Sequence, residues 1–131
     1  MPTELLMLVL TGLLSLVVAV TTIAIHFRAY GGKTIRGNRD DFPRLQGVAM
    51  RVVRAHANLN EALLPFAIIV IAAAVLHVSN TLTIYAAIAF FAARVTHALL
   101  YPAGATPWRS ISYYCGLVAT VVFATQLPFA G

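Results

Sequence analysis

Apolar residues in this chain come in four long blocks separated by polar breaks. Residues 5–25 carry no charge and reach the length of about 20 residues that a spanning helix needs. His26 and Arg28 mark the end of this block, with Tyr30 as an interfacial anchor. The pattern predicts a first helix over about 5–27. Residues 31–47 (G-G-K-T-I-R-G-N-R-D-D-F-P-R-L-Q-G) have glycines, a proline and no apolar periodicity, and predict a polar loop, the only long one. A second helix is expected over 47–77, polar in its first half and apolar in its second. Pro65 sits inside it, where it removes one backbone bond and favours a kink. No charge occurs between Glu61 and Arg94, and one straight helix of that length would overshoot a bilayer. The H-V-S-N-T segment at 77–81 is the natural break. The third and fourth helices then fall at 82–101 and 109–127, around a short loop broken by Gly104 and Pro107. There is no internal repeat, so 1–131 is expected to form one domain.

The polar positions inside these blocks are patterned too. Arg51, Arg54, Asn58, Glu61 and Pro65 are spaced three, four, three and four apart, which lines one helix face. Arg94, His97 and Tyr101 repeat a three-four spacing near the end of the third helix. Arg109 and Ser110 open the fourth, and Tyr113 follows one turn later. An unpaired buried charge costs several kcal/mol (roughly) even after relaxation, so such stripes need partners or a ligand.

Composition supports a membrane reading. Of 131 residues, 60% are hydrophobic and 10% charged, against about a quarter charged in soluble domains. The expected fold is all-α: an integral membrane four-helix bundle of up-down topology. The formal charge is +5, and of the nine basic residues seven lie between Arg28 and Arg54. This cluster flanks membrane-length apolar runs, so it marks topology and no nucleic-acid partner is expected. The positive-inside rule places the 28–54 region and the 102–109 loop in the cytoplasm and both termini outside. The polar ends of helices two, three and four then meet at one depth. The only early charge is Glu4, and the apolar run continues to Phe27, which favours a retained helix over a signal peptide. The single cysteine, Cys115, excludes an intramolecular disulfide and is expected to be a packing residue.

A ligand that answers this constellation offers anionic groups to the arginines and an ammonium to Glu61. Arg54, Arg94 and Arg109 each suit a carboxylate or thiolate, because arginine stays charged and forks bidentately. Asn58 suits an amide backbone. A peptide-like zwitterion with two carboxylates fits that description.

R-A-H-A-N-L-N-E-A-L-L-P-F, followed in order by R-V-T-H-A-L-L-Y and R-S-I-S-Y, resembles the MAPEG family, the membrane-associated proteins in eicosanoid and glutathione metabolism. The likeness covers nearly the whole chain and points towards a bacterial member similar to the microsomal glutathione S-transferases, in an inner membrane. The resemblance implies a homotrimer with glutathione bound between subunits near the cytoplasmic side, as co-substrate and with no metal. Carried over position by position, it implies that Arg54, Asn58 and Glu61 bind the glutathione backbone and its charged ends, Glu61 taking the γ-glutamyl ammonium. Arg94, His97 and Tyr101 would line the neighbouring wall, and Tyr113 would close the site. Arg109 would hold the sulfur as thiolate, with Ser110 as hydroxyl donor. The second substrate would be an apolar electrophile or a lipid hydroperoxide drawn from the membrane. One departure stands out: some members carry an arginine after the histidine of the helix-two motif, where this chain has Ala57. Lys33 or Arg36 is the expected substitute.

Simpler roles compete for several residues. Arg51 is placed to snorkel to the interface, and Arg54 or Arg94 could pair with Glu61 purely for structure. Tyr101, Tyr113 and Trp108 have the character of interfacial aromatics. His26, His56 and His77 are expected to be structural, and Asp40 and Asp41 to solvate the loop. Two other functions stay open: a haem-binding bundle using His56 and His97, and a small oligomeric transporter. The arginines around Glu61 argue against proton coupling through it.

Overall fold

A computed structural model describes residues 1–37 and 44–128, and of 33–36 the backbone alone. Asp40 and Asp41, and the side chains of Lys33 and Arg36, lie outside the described residues. The chain forms an all-α bundle of four helices: α1 Thr3–Arg36, α2 Gly47–Val75, α3 Thr81–Ala103 and α4 Thr106–Ala124.

Side-chain bonds fix the direction of each helix. Glu4, at the start of α1, meets Ser79 and Thr83 at the α2–α3 junction. Arg51, near the start of α2, donates Nε–H to the Pro102 carbonyl at the end of α3, at 2.9 Å. Asn80, before α3, donates to Gln126 Oε1 beyond the end of α4. The chain therefore runs up, down, up and down, with a Glu4 end and an Arg51 end.

Local chemistry sets the boundaries. α1 breaks at Gly31, whose φ of 73° and ψ of 161° suit a residue without Cβ, and short helix follows to Arg36. α2 stays helical through Pro65, which leaves the Glu61 carbonyl without its usual donor. The helix stops at Val75, and His77 takes a left-handed φ of 55°. Asn80 then caps α3: its side chain accepts from Leu82 and Thr83 N–H, and the Thr83 hydroxyl accepts from Asn80 N–H in return. Gly104 ends α3 in the left-handed region. Pro107 sits in the first turn of α4, where its missing N–H costs nothing, and Arg109 falls in that turn as well.

Among the described residues three helices are long and apolar enough to cross a membrane: Thr3–Gly32 at mean hydropathy 2.5, Gly47–Val75 at 1.8 and Thr81–Ala103 at 1.5. The protein is a multi-pass integral membrane protein. α4 has 19 residues and carries Arg109 in its first turn, and it does not meet the same standard. Hydroxyls inside the apolar helices turn back to backbone: Thr11, Thr22 and Thr120 donate to the carbonyls of Met7, Val18 and Gly116.

The core joins α2, α3 and α4. Phe66 stacks on Phe90 with centroids 3.8 Å apart and meets Phe123 edge-on at 6.1 Å. Val70, Ala73, Ala86, Ala87 and Ala119 close around them. α1 packs on α2 and α3. Its Leu13, Leu16, Val17 and Val20 face outwards, as a lipid-facing surface requires.

Candidate functional site

At the Arg51 end, α2, α3 and α4 surround a polar cavity of about 220 Å³. Asn58 enters from α2, His97 and Tyr101 from α3, and Arg109, Ser110, Tyr113 and Tyr114 from α4. The helix starts and stops described above bring these residues together. Gly104 turns the chain sharply, so the last turn of α3 faces the first turn of α4. Arg51 holds that turn through the Pro102 carbonyl, so it ties the start of α2 to the end of α3.

Arg109 is half-buried, with its Cζ 4.5 Å from the centre of the Tyr101 ring. A guanidinium on an aromatic face at a helix N-terminus gives two fixed sources of positive potential. The Ser110 hydroxyl is exposed and donates to the Thr106 carbonyl at 3.2 Å. His97 is 3% exposed. Its Nδ1 lies 3.1 Å from the Arg109 carbonyl and 3.3 Å from Ser112 Oγ. The carbonyl accepts only, so Nδ1 carries a proton. Nε2 is buried without a partner, and in the neutral ring it is a bare acceptor. The His97 ring lies edge-on to Tyr101, with centroids 5.3 Å apart, and tilted against Tyr113 at 6.0 Å.

A second cavity of about 290 Å³ is lined by Glu61, Pro65, Arg94, Tyr113 and Gly116 among others. Tyr113 borders both cavities. Arg94 is 1% exposed, and its Nη2 donates to the Ser112 and Tyr113 carbonyls at 3.1 and 2.9 Å. Its Nε and Nη1 are buried without partners among the described residues. Phe90 and Tyr113 present ring faces 5.4 and 5.5 Å from its Cζ. Arg94 thus ties α3 to the backbone of α4.

Glu61 is exposed, and no ion pair joins it to Arg54 or Arg94 among the described residues. Arg54 is exposed and lines neither cavity. The sequence-predicted residues therefore fall into three groups: Asn58, His97, Tyr101, Arg109, Ser110 and Tyr113 around the first cavity; Glu61 and Arg94 at the second; and Arg54 outside both. His56 and Asn60 are bonded at 3.0 Å, and Asn60 accepts from Ser15 of α1 at 2.6 Å. His56 is thereby tied towards α1 and His97 towards α4, so the two histidines do not address one shared group. His26 bonds back to the Thr22 carbonyl at 2.8 Å.

Cys115 departs from its expected packing role. It is exposed, on an apolar groove of about 630 Å³ between α3 and α4 with Tyr85, Tyr114 and Val118. Sequence reasoning also passed over Tyr114, Ser112 and Gly116. Ser112 lies three residues after Arg109 on the same helix and Gly116 four further on, so helical spacing from Arg109 was the available signal.

Comparison with curated proteins and with solved structures returns no match. The family model for the MAPEG family matches residues 5–128. With nearly the whole chain matched and folded as a four-helix membrane bundle, the protein belongs to the MAPEG family.

Proposed function

We propose that the protein is a membrane glutathione-dependent transferase or peroxidase, with Arg109 activating the thiol. The observation that carries this reading is the position of Arg109, in the first turn of α4, on the Tyr101 ring and inside a polar cavity. A free thiol titrates near about 8.5, and the thiolate is the nucleophile. The guanidinium and the helix N-terminus both favour the anion. Family membership supports glutathione as the thiol.

The chemistry follows in two branches. In transfer, the thiol proton leaves, the sulfur attacks an apolar electrophile, and a carbon–sulfur bond replaces the bond to the leaving group. In peroxide reduction, the thiolate takes the terminal oxygen, the O–O bond breaks and an alcohol departs after protonation. A second glutathione then converts the sulfenic acid to disulfide and water. Tyr101 and Tyr113 line the cavity with hydroxyl-bearing rings, and Ser110 lies beside Arg109.

The cavity also supports an oligomeric site. At about 220 Å³ it falls below the range of about 300–1,000 Å³ typical of small-molecule pockets. Arg54 and Glu61 stay exposed on the outside of α2. In a homotrimer these two would complete the wall of a neighbour's cavity, Arg54 meeting a carboxylate and Glu61 the γ-glutamyl ammonium. The distribution of basic residues would put this end in the cytoplasm.

The test is glutathione binding by detergent-solubilised protein, with thiolate read by ultraviolet difference absorbance. Wild type should bind at millimolar glutathione and show thiolate. Arg109→Ala should lose about 10²-fold or more of the activity, the scale of removing one oriented electrostatic donor, with its oligomeric state retained. Absence of glutathione binding by wild type at millimolar concentration would end the proposal.

A further inference from the structure

The opposite end of the bundle carries a polar cluster that this chemistry does not use. Glu4 is 4% exposed. Its Oε1 accepts from Ser79 Oγ at 2.8 Å and from Thr83 Oγ1 at 2.7 Å. Its Oε2 is buried and has no hydrogen-bond partner among the described residues. Glu4, His77 and Ser79 line a cavity of about 280 Å³ whose other walls include Leu5, Val70 and Val78.

A purely structural clamp accounts for only half of this. Two hydroxyls on Oε1, one of them from the first turn of α3, fasten α1 to the α2–α3 junction. The clamp needs neither the second oxygen nor the adjoining cavity. A buried carboxylate oxygen calls for a donor, preferably cationic. Among the described residues no lysine or arginine lines this cavity. Met1 is 78% exposed and does not line it either.

We propose that this cavity binds the primary ammonium group of an amphiphilic amine, with Glu4 as its counter-ion. Ser79 and His77 add polar groups to the cavity wall beside Glu4, while Leu5, Val70 and Val78 take the first carbons of the apolar body. At about 30 Å³ for each water-sized volume, the 280 Å³ suits a short alkylamine or the head of a longer molecule. The same chemistry is offered by a free alkylamine and by a lipid ethanolamine headgroup.

The test uses full-length protein in maltoside micelles, titrated with n-hexylamine hydrochloride or with 1-hexanol and read by thermal unfolding. The amine should raise the unfolding temperature saturably, and hexanol should not. Glu4→Gln should weaken the amine effect by about tenfold or more, the scale of a hydrogen bond to a charged group, without changing glutathione binding. Ala74→Leu, which fills the cavity wall and keeps the carboxylate, should do the same and decides the matter where Glu4→Gln fails to fold. Equal stabilisation by hexanol, no amine effect in wild type, or full amine binding by both variants would overturn the proposal. Nanodiscs separate the sources. Amine binding that is weakened in phosphatidylethanolamine discs relative to phosphatidylcholine discs assigns the site to the lipid headgroup. Equal binding in both assigns it to a free amine.

Discussion

Gly116→Ala is the sharpest test of how Arg94 is held. A Cβ at Gly116 would lie 2.8 Å from both Cζ and Nε of Arg94, and closer still to Nη2. The guanidinium ends a flexible side chain, but it is 1% exposed and fixed to two carbonyls of α4, so moving it has a cost. Without the clash, alanine inside a helix would gain about 0.5–1 kcal/mol over glycine. Overpacking costs about 1–3 kcal/mol, and each hydrogen bond from a charged donor that is lost costs about 1.5–3 kcal/mol. With one such bond broken, the net is a destabilisation of about 3 kcal/mol. In an Arg94→Leu background the clash is gone, and the same Gly116→Ala change should stabilise by about 0.5–1 kcal/mol. The double-mutant cycle therefore predicts a change of sign. Unfolding in mixed micelles of rising denaturing-detergent fraction, followed by circular dichroism, measures it. Equal destabilisation by Gly116→Ala in both backgrounds would refute the placement of Arg94 against this glycine.

Two further outcomes follow from the packing. Phe66→Ala should cost about 3–5 kcal/mol, because Phe66 is fully buried between Phe90 and Phe123; the same unfolding assay checks it. Arg51→Ala should cost only about 1 kcal/mol of stability, but it frees the Pro102 carbonyl beside the turn that sets Arg109. Under the proposed function its larger effect should be a weaker glutathione affinity, measurable by calorimetry, with helix content unchanged.

The helix order was legible because length and hydropathy report directly on what can cross a bilayer. The uncharged run before His26 and the 77–81 break each mark a boundary that water or a cap enforces. Boundaries were harder where backbone geometry decides. Proline at position 107 allows α4 to start at Thr106 rather than at Arg109, and Gly31 interrupts a first helix that resumes to Arg36. Helical spacing identified the Arg109 region but could not say which partners each side chain would meet. Arg94 shares a three-four line with His97 and Tyr101, yet it turns to α4 carbonyls while they line the first cavity. Glu4 looked like an isolated early charge, because its partners Ser79 and Thr83 are 75 and 79 positions away.

The sequence alone determined the membrane class, the four helices, the family resemblance and the clustering of basic residues towards one end. Those properties are sums or periods along the chain. Only the tertiary structure decided how the polar side chains are shared out. It placed Asn58 with Arg109, Arg94 behind them against Gly116, Arg54 outside, and Glu4 in a separate cavity at the far end. The physical reason is that a buried charge takes whichever partners the packing of distant helices brings within hydrogen-bond reach, and that reach is set by three-dimensional contact rather than by position in the chain.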